Sequence, residues 1–212
     1  MLNFFNKIFL SIFLVFLIIS ILFVPILYSI SSEGNFYQDE YSDEILLSNN
    51  GFFWPIPGYT HISSYFGKRV SPTSMASTYH SGIDIPASQN TNLYAIEDGI
   101  ITFASWGAGG GYTVVLKLTN YPNISVSYCH VSPIFLVKRN QEVKRGELIA
   151  KVGPKYVYGI NNNPYKDANG KPTNGATTGC HLHLTIKENG VAVNPLKYYR
   201  TKVKIKNFHS VY

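Results

Sequence analysis

The feature that most restricts this chain is an apolar run, IFLSIFLVFLIISILFVPILYSI over residues 8–30, which carries no charged side chain. At about 1.5 Å of rise per helical residue it is long enough to cross a hydrocarbon core of about 30 Å. It predicts one membrane segment, and a chain of 212 residues then has room for one further domain. A cleaved secretory signal is the alternative, with Ser29 and Ser31 as small residues at its cleavage site. The apolar core of such a signal, however, runs only about 7 to 15 residues. Lys7 precedes the run and five acids follow it: Glu33, Asp39, Glu40, Asp43 and Glu44. The positive-inside rule therefore puts the rest of the chain outside the cytoplasm. The expectation is a single-pass cell-membrane protein with an extracytoplasmic domain, or a secreted protein if the signal is cleaved.

Four segments result: a membrane anchor or signal at 1–30, an acidic linker at 31–51, a folded domain at 52–199 and a basic tail at 200–212. The formal charge of +6 hides an uneven distribution, because residues from 45 onward hold seventeen Lys and Arg against seven Asp and Glu, a net of +10. A body so basic is drawn to polyanions. Outside the cytoplasm that points to anionic wall polymers or lipid, and nucleic acid is not expected.

Helical periodicity is scarce after residue 51, whereas β-branched and aromatic runs recur between turn signals at 61–66, 92–96, 100–104, 113–118, 125–130, 148–152 and 181–187. Seventeen Gly and eleven Pro supply the punctuation. Turns are expected at 107–111, 120–123 and 188–190, with a charged turn at 142–147 after one turn of helix. The fold class is mainly β, an antiparallel barrel or sandwich. The alternating LysValLysIleLys at 202–206 fits a cationic edge strand.

The histidines carry the chemistry. His80 and Asp84 stand four apart beside Gly82 and Pro86, which oppose a helix, and in extended chain that separation keeps both on one face. His181 and His183 do the same two apart, with Leu182, Leu184 and Ile186 on the buried side. Two imidazoles and a carboxylate suit a catalytic zinc ion, which takes three protein ligands and keeps one open position.

The ordered motifs YHSGIDI (79–85), YCHVS (128–132) and TTGCHLHL (177–184) resemble those of the lysostaphin-type, or LytM-type, zinc metallopeptidases of peptidoglycan. Connecting stretches are also similar to that family: HISSYFGKR (61–69), AIEDGIITFASWG (95–107), GGGYTVVL (109–116), NQEVKRGELIAKVG (140–153) and VAVNPLKYY (191–199). The resemblance, which spans about 54–199, implies the duplicated hybrid motif fold and one zinc ion per domain. It implies His80, Asp84 and His183 as zinc ligands, His130 and His181 as the catalytic pair, and a substrate contact for Arg69. Zinc chemistry needs a base and an oxyanion donor. The chain has no HisGluXaaXaaHis helix to supply a Glu, and histidines with unperturbed pKa near 6.5 suit either role. Which of the two is the base stays open.

Two departures from the family pattern stand out. Cys180 replaces the usual Pro and Cys129 the usual small residue beside the motif histidines. Strand alternation turns each away from its neighbouring histidine. Convergence of those histidines on one metal brings the cysteines near each other, so a disulfide and two free thiols are both open. The second departure is the length of 154–179, a loop leading into His181, whose Tyr156, Tyr158 and Tyr165 are candidates for lining a substrate groove. Its AspAlaAsnGly at 167–170 lacks the other residues of a calcium loop. His61 and His209 have no ligand partners in the pattern.

The function these features imply is a membrane-tethered zinc metalloendopeptidase that cuts peptidoglycan stem peptides or crossbridges. The alternative is a catalytically silent relative that binds wall peptide or regulates another hydrolase. Silent members of the family usually lack a ligand or a catalytic histidine, and this chain keeps all five.

Overall fold

The computed structural model describes residues 52–73 and 76–199. The apolar run, the acidic linker and the basic tail lie outside them. Among the described residues no helix is long and apolar enough to cross a membrane.

Eleven strands follow in order: β1 (Gly67–Lys68), β2 (Tyr79–His80), β3 (Ile83–Pro86), β4 (Asn92–Tyr94), β5 (Gly99–Trp106), β6 (Tyr112–Leu118), β7 (Ile124–Cys129), β8 (Glu142–Val143), β9 (Leu148–Lys151), β10 (His181–Glu188) and β11 (Val191–Val193). Helix is confined to 3-10 turns at Ala108–Gly110 and Pro195–Tyr198. The fold is thus mainly antiparallel β, as the turn-rich composition implies. One seven-stranded sheet runs β11-β10-β7-β6-β5-β8, with β3 also paired to β10. Two small sheets, β1-β2 and β4-β9, stand beside it.

Strand periodicity puts the core on one face of the large sheet. Leu182, Leu184 and Ile186 of β10, Val126 and Tyr128 of β7, and Val114 and Leu116 of β6 are fully buried. The alternate residues of β10, starting with His181 and His183, face the other way. Truncating one such core leucine to Ala costs about 2–5 kcal/mol. Phe52, Trp54 and Ile56 close the core from the chain's N-terminal side, where the Trp54 indole N–H donates to the Tyr59 carbonyl at 2.9 Å.

Two sequence expectations differ from the fold. Residues 61–66 form no strand beyond a bridge of Ser64 to Asp84, because the chain bends at Ser63 and again at Phe66. No helical turn precedes 142–147. The chain there is held by local turns such as Gln141 N–H to Lys138 O at 3.1 Å and Glu147 N–H to Lys144 O at 2.9 Å.

Candidate active site

β10 is the element on which the site is built. Its residue His183 lies directly opposite Asp84 of β3 on one side and Cys129 of β7 on the other. Opposed residues in a pair of strands share a face, so register alone brings the Asp84 carboxylate to the His183 ring. His80 arrives by another route than one continuous strand. β2 and β3 are separated by a turn at Ser81 and Gly82, and the turn passes so close to β10 that a Cβ on Gly82 would lie 2.2 Å from the Leu184 carbonyl oxygen. Only glycine allows that approach, and it folds His80 back over Asp84.

Three donor atoms converge there. His80 Nε2 lies 3.1 Å from Asp84 Oδ1 and 2.9 Å from His183 Nδ1, and His183 Nδ1 lies 2.7 Å from the same Oδ1. The other atoms of each group are already engaged. His80 Nδ1–H donates to the Tyr65 carbonyl at 2.9 Å, which leaves a lone pair on Nε2. His183 Nε2 meets the Thr185 hydroxyl at 2.9 Å. Arg69 Nη1 donates to Asp84 Oδ2 at 3.1 Å and to Ser64 Oγ at 2.7 Å, so Oδ1 alone faces the rings. Such outer partners fix the tautomer and orientation of a metal ligand. Ligands of a tetrahedral zinc ion, with bonds near 2.0–2.1 Å, stand about 3.3 Å apart. The trio is close to that spacing, and its two-nitrogen, one-oxygen chemistry suits zinc. These residues fit the metal.

Two further rings border the trio. His181 Nδ1–H donates to the Gly179 carbonyl at 2.9 Å, and its Nε2 stands 3.5 Å from Asp84 Oδ1. His130 Nδ1–H donates to the Asn174 carbonyl at 2.6 Å, and the ring centroids of His130 and His181 are 4.7 Å apart. Both imidazoles thus have one nitrogen pinned by backbone and the other free to exchange a proton.

His130 is held in an unusual backbone state, φ +58°, which costs a non-glycine residue of order 1–3 kcal/mol. Its N–H donates to Gly110 O at 2.7 Å, and its carbonyl accepts from Gly153 N–H at 2.9 Å. A Cβ on Gly153 would come within 2.6 Å of that carbonyl and 2.2 Å of Val131 O. Asn174, fully buried, completes the clamp: its side chain accepts from Tyr112 N–H at 2.8 Å and donates to Val131 O at 3.0 Å.

Electrostatics follow from this packing. Burial pushes the Asp84 carboxyl up, but the side chains of His181, His183 and His80 gathered around it outweigh burial and hold the group far below the usual carboxylate range. Burial lowers His130 well below its ordinary value, with the charges of His181 and His183 adding to the effect, so its ring is neutral near pH 7. Burial lowers His183 too, against the pull of Asp84.

The site opens into a cleft of about 800 Å³ that runs from Arg69, Tyr79 and Pro72 past the histidines to Thr185 and Lys187. All five motif residues and Arg69 line it. Tyr156, Tyr158 and Tyr165 are not among the lining residues. Tyr156 instead donates its hydroxyl to Asp167 at 2.8 Å within the loop, and Tyr158 points to solvent. Tyr165 reaches the rim, where its hydroxyl would meet a Cβ on Gly109 at 3.3 Å.

Only one of the two cysteines sits as strand alternation predicts. Cys180 packs against the core, but Cys129 lines the cleft on the face it shares with His183. Alternation fails because His130 lies beyond the end of β7 in left-handed backbone. Both thiols are free, and burial pushes the Cys129 thiol up to about 11.

Sequence reasoning missed Asn174, Tyr65, Gly179, Thr185 and Ser64. Tyr65 and Gly179 act only through backbone carbonyls, and Asn174 through its carbonyl and an amide, so residue type gave no warning.

Residues 78–165 match the family model described as Peptidase family M23. The chain is 33% identical over 153 residues to the DD-carboxypeptidase/endopeptidase Mpg of Neisseria meningitidis, an alignment covering 72% of this chain and 30% of that protein. It is 27% identical over 132 residues to the murein hydrolase activator NlpD of Escherichia coli, covering 62% of this chain and 29% of that one. The chain thus spans about a third of the length of these curated relatives. Among solved structures, the catalytic domain of lysostaphin, an antimicrobial peptidase from Staphylococcus simulans, superposes with a TM-score of 0.50 at 25% identity, covering 65% of this chain and 90% of that one. With the motif order, the sheet and the family match in agreement, this chain carries a peptidase family M23 domain.

Proposed function

We propose that this chain is a zinc metalloendopeptidase that hydrolyses peptide bonds in peptidoglycan stem peptides or crossbridges. In this reading it is tethered to the cell membrane by residues 8–30, with its cleft outside the cytoplasm. The observation that carries the reading is the convergence of His80, Asp84 and His183 within 3.1 Å of one another, bordered by two more imidazoles whose Nδ1 atoms are fixed by backbone carbonyls. The similarity to a DD-carboxypeptidase/endopeptidase and to lysostaphin supports a peptide of the wall as substrate.

His80 Nε2, Asp84 Oδ1 and His183 Nδ1 would hold the metal. When bound, zinc supplies Lewis-acid polarisation of a carbonyl and acidification of water. His130, neutral and with its lone pair on Nε2, takes the proton of the attacking water. His181, as the imidazolium that bonds Gly179 O through Nδ1–H, carries a second proton on Nε2 beside the Asp84 carboxylate. It donates to the developing oxyanion and passes the Nε2 proton to the leaving amine, and the proton held by His130 then restores it. Arg69 keeps Asp84 in register by holding Oδ2. General acid–base groups of this kind contribute about 10²–10⁴-fold each.

A second reading has one observation in its favour, the similarity to a murein hydrolase activator. In that reading the cleft binds wall peptide without cutting it and stimulates another hydrolase. Digestion of defined muropeptides by the zinc-loaded full chain, with products weighed by mass spectrometry, separates the two. We expect a new amino terminus within a stem or crossbridge, lost with chelator and restored by zinc. An intact muropeptide pool, with a second hydrolase accelerated in the same assay, would establish the activator and overturn the enzyme.

A further inference from the structure

The floor of the cleft continues along β10 beyond the histidines, and strand register orders it into rows. His183 lies across from Cys129, Thr185 from Ser127 and Lys187 from Ser125. On the far side of β7, Val115 faces Ser127 and Lys117 faces Ser125. Because opposed residues share a face, Lys117, Ser125 and Lys187 form one row on the face that carries His183. With strands about 4.8 Å apart, the two lysine Cα atoms stand about 10 Å from each other across the serine.

Both lysines are exposed, and neither makes an ion pair among the described residues. The carboxylate of that row, Glu142, lies two strands from Lys117, beyond Ile100. Within the cleft, Asp84 is already committed to three histidines and Arg69. Positive charge at this end is therefore uncompensated among the described residues, and Lys187 brings it to the lining of the cleft. Thr185 and Ser127, between the lysines and the donor atoms, offer hydroxyls and no bulk.

We infer that Lys117 and Lys187, with Ser125 between them, form a subsite for a carboxylate borne by the peptide that the cleft cuts. This rests on the peptidase reading and adds to it a charge requirement on the substrate. β10 rises about 3.4 Å per residue, so Lys187 Cα is about 14 Å from His183 Cα. About four residues of extended peptide span that distance. The carboxylate accordingly lies within about four residues of the scissile bond, closer where the lysine stems lean toward the histidines. Two ammonium groups on flexible stems select charge more than shape, unlike a planar guanidinium. The alternative anion, a phosphate-rich wall polymer, is disfavoured because Lys187 itself lines the histidine cleft and Lys117 follows it in the same row, across Ser125 just outside that lining.

The test uses the zinc-loaded full chain and two synthetic crosslinked stem-peptide dimers, identical except that the free carboxylates of one are carboxamides in the other. We expect KM for the carboxylate dimer to be about five- to tenfold lower, the size of a partly exposed charge pair, and the preference to shrink in high salt. Lys117→Gln with Lys187→Gln brings the ratio to within about twofold of one, with kcat and zinc content unchanged, whereas Lys187→Arg keeps the preference. A ratio unchanged in the double Gln variant overturns the subsite, and so does an equal loss on both dimers. If neither dimer is cut, the peptidase reading fails by itself. Calorimetric Kd values for the same dimers then decide the subsite, and equal affinity of the unaltered chain for both overturns it. Loss of poly(glycerol phosphate) binding in the double variant, with the dimer preference intact, would assign the lysines to a wall polymer instead.

Discussion

His130 shows how much of a reactive residue's environment can lie in backbone. Its ring is aimed by the Asn174 carbonyl and its left-handed main chain by Gly110 O and Gly153 N–H. Asn174 holds that carbonyl in place by bonding Tyr112 N–H and Val131 O with its side chain. Asn174→Ala should therefore loosen His130 without touching the metal donors. The expected outcome is a kcat about 10–100-fold lower, the scale of a misaligned general base, with KM and zinc content little changed. Steady-state kinetics and metal analysis check it, and a variant that loses zinc in proportion to activity would contradict the assignment. Asn174→Asp tests the same point conservatively, since it keeps one acceptor for Tyr112 N–H and loses the donor to Val131. The five motif residues are legible in the sequence because metal and acid–base chemistry demand particular side chains at particular spacings. The residues that aim them are not, because any residue can offer a carbonyl.

At the scale of elements, β10 does most of the organising. Its odd-numbered residues face the cleft and its even-numbered ones the core, a division readable from HisLeuHisLeuThrIleLys as it stands. Its neighbours are less legible. Spacing alone pairs His80 with Asp84 along one extended strand, whereas the structure reaches the same proximity with a turn at Gly82. Cys129 keeps the period-two pattern of β7, and it is His130, one residue past the strand in left-handed backbone, that departs from it. In both places a local backbone feature, invisible to that pattern, decides the outcome. Gly82→Ala is the direct probe, since its Cβ would meet Leu184 O at 2.2 Å. We expect a loss of stability of about 2–4 kcal/mol, in the range of overpacking joined to a broken turn, together with weakened zinc binding, because both β2 and β3 must shift away from β10. Thermal unfolding and zinc titration measure the two effects, and a variant of unchanged stability would contradict this packing.

For the whole molecule, the sequence divides into a charge-free run, an acidic stretch and a basic domain, and the described residues account for the last of these. The mainly β architecture is legible because turn residues and β-branched runs alternate along the chain. The order of strands in the sheet is not, since no local pattern tells β10 to lie between β7 and β3. That placement is what assembles residues from 80 to 183 into one cleft. In the proposed mechanism the cleft splits its histidines between two roles, His80 and His183 holding zinc with Asp84 while His130 and His181 move protons. Zinc stoichiometry and muropeptide turnover, measured side by side on His183→Ala and His181→Ala, probe that split without intermediaries. We expect His183→Ala to lose both zinc and turnover, whereas His181→Ala keeps one zinc per chain and loses turnover by about 10²–10⁴-fold. Equal loss of zinc from the two variants would contradict the split.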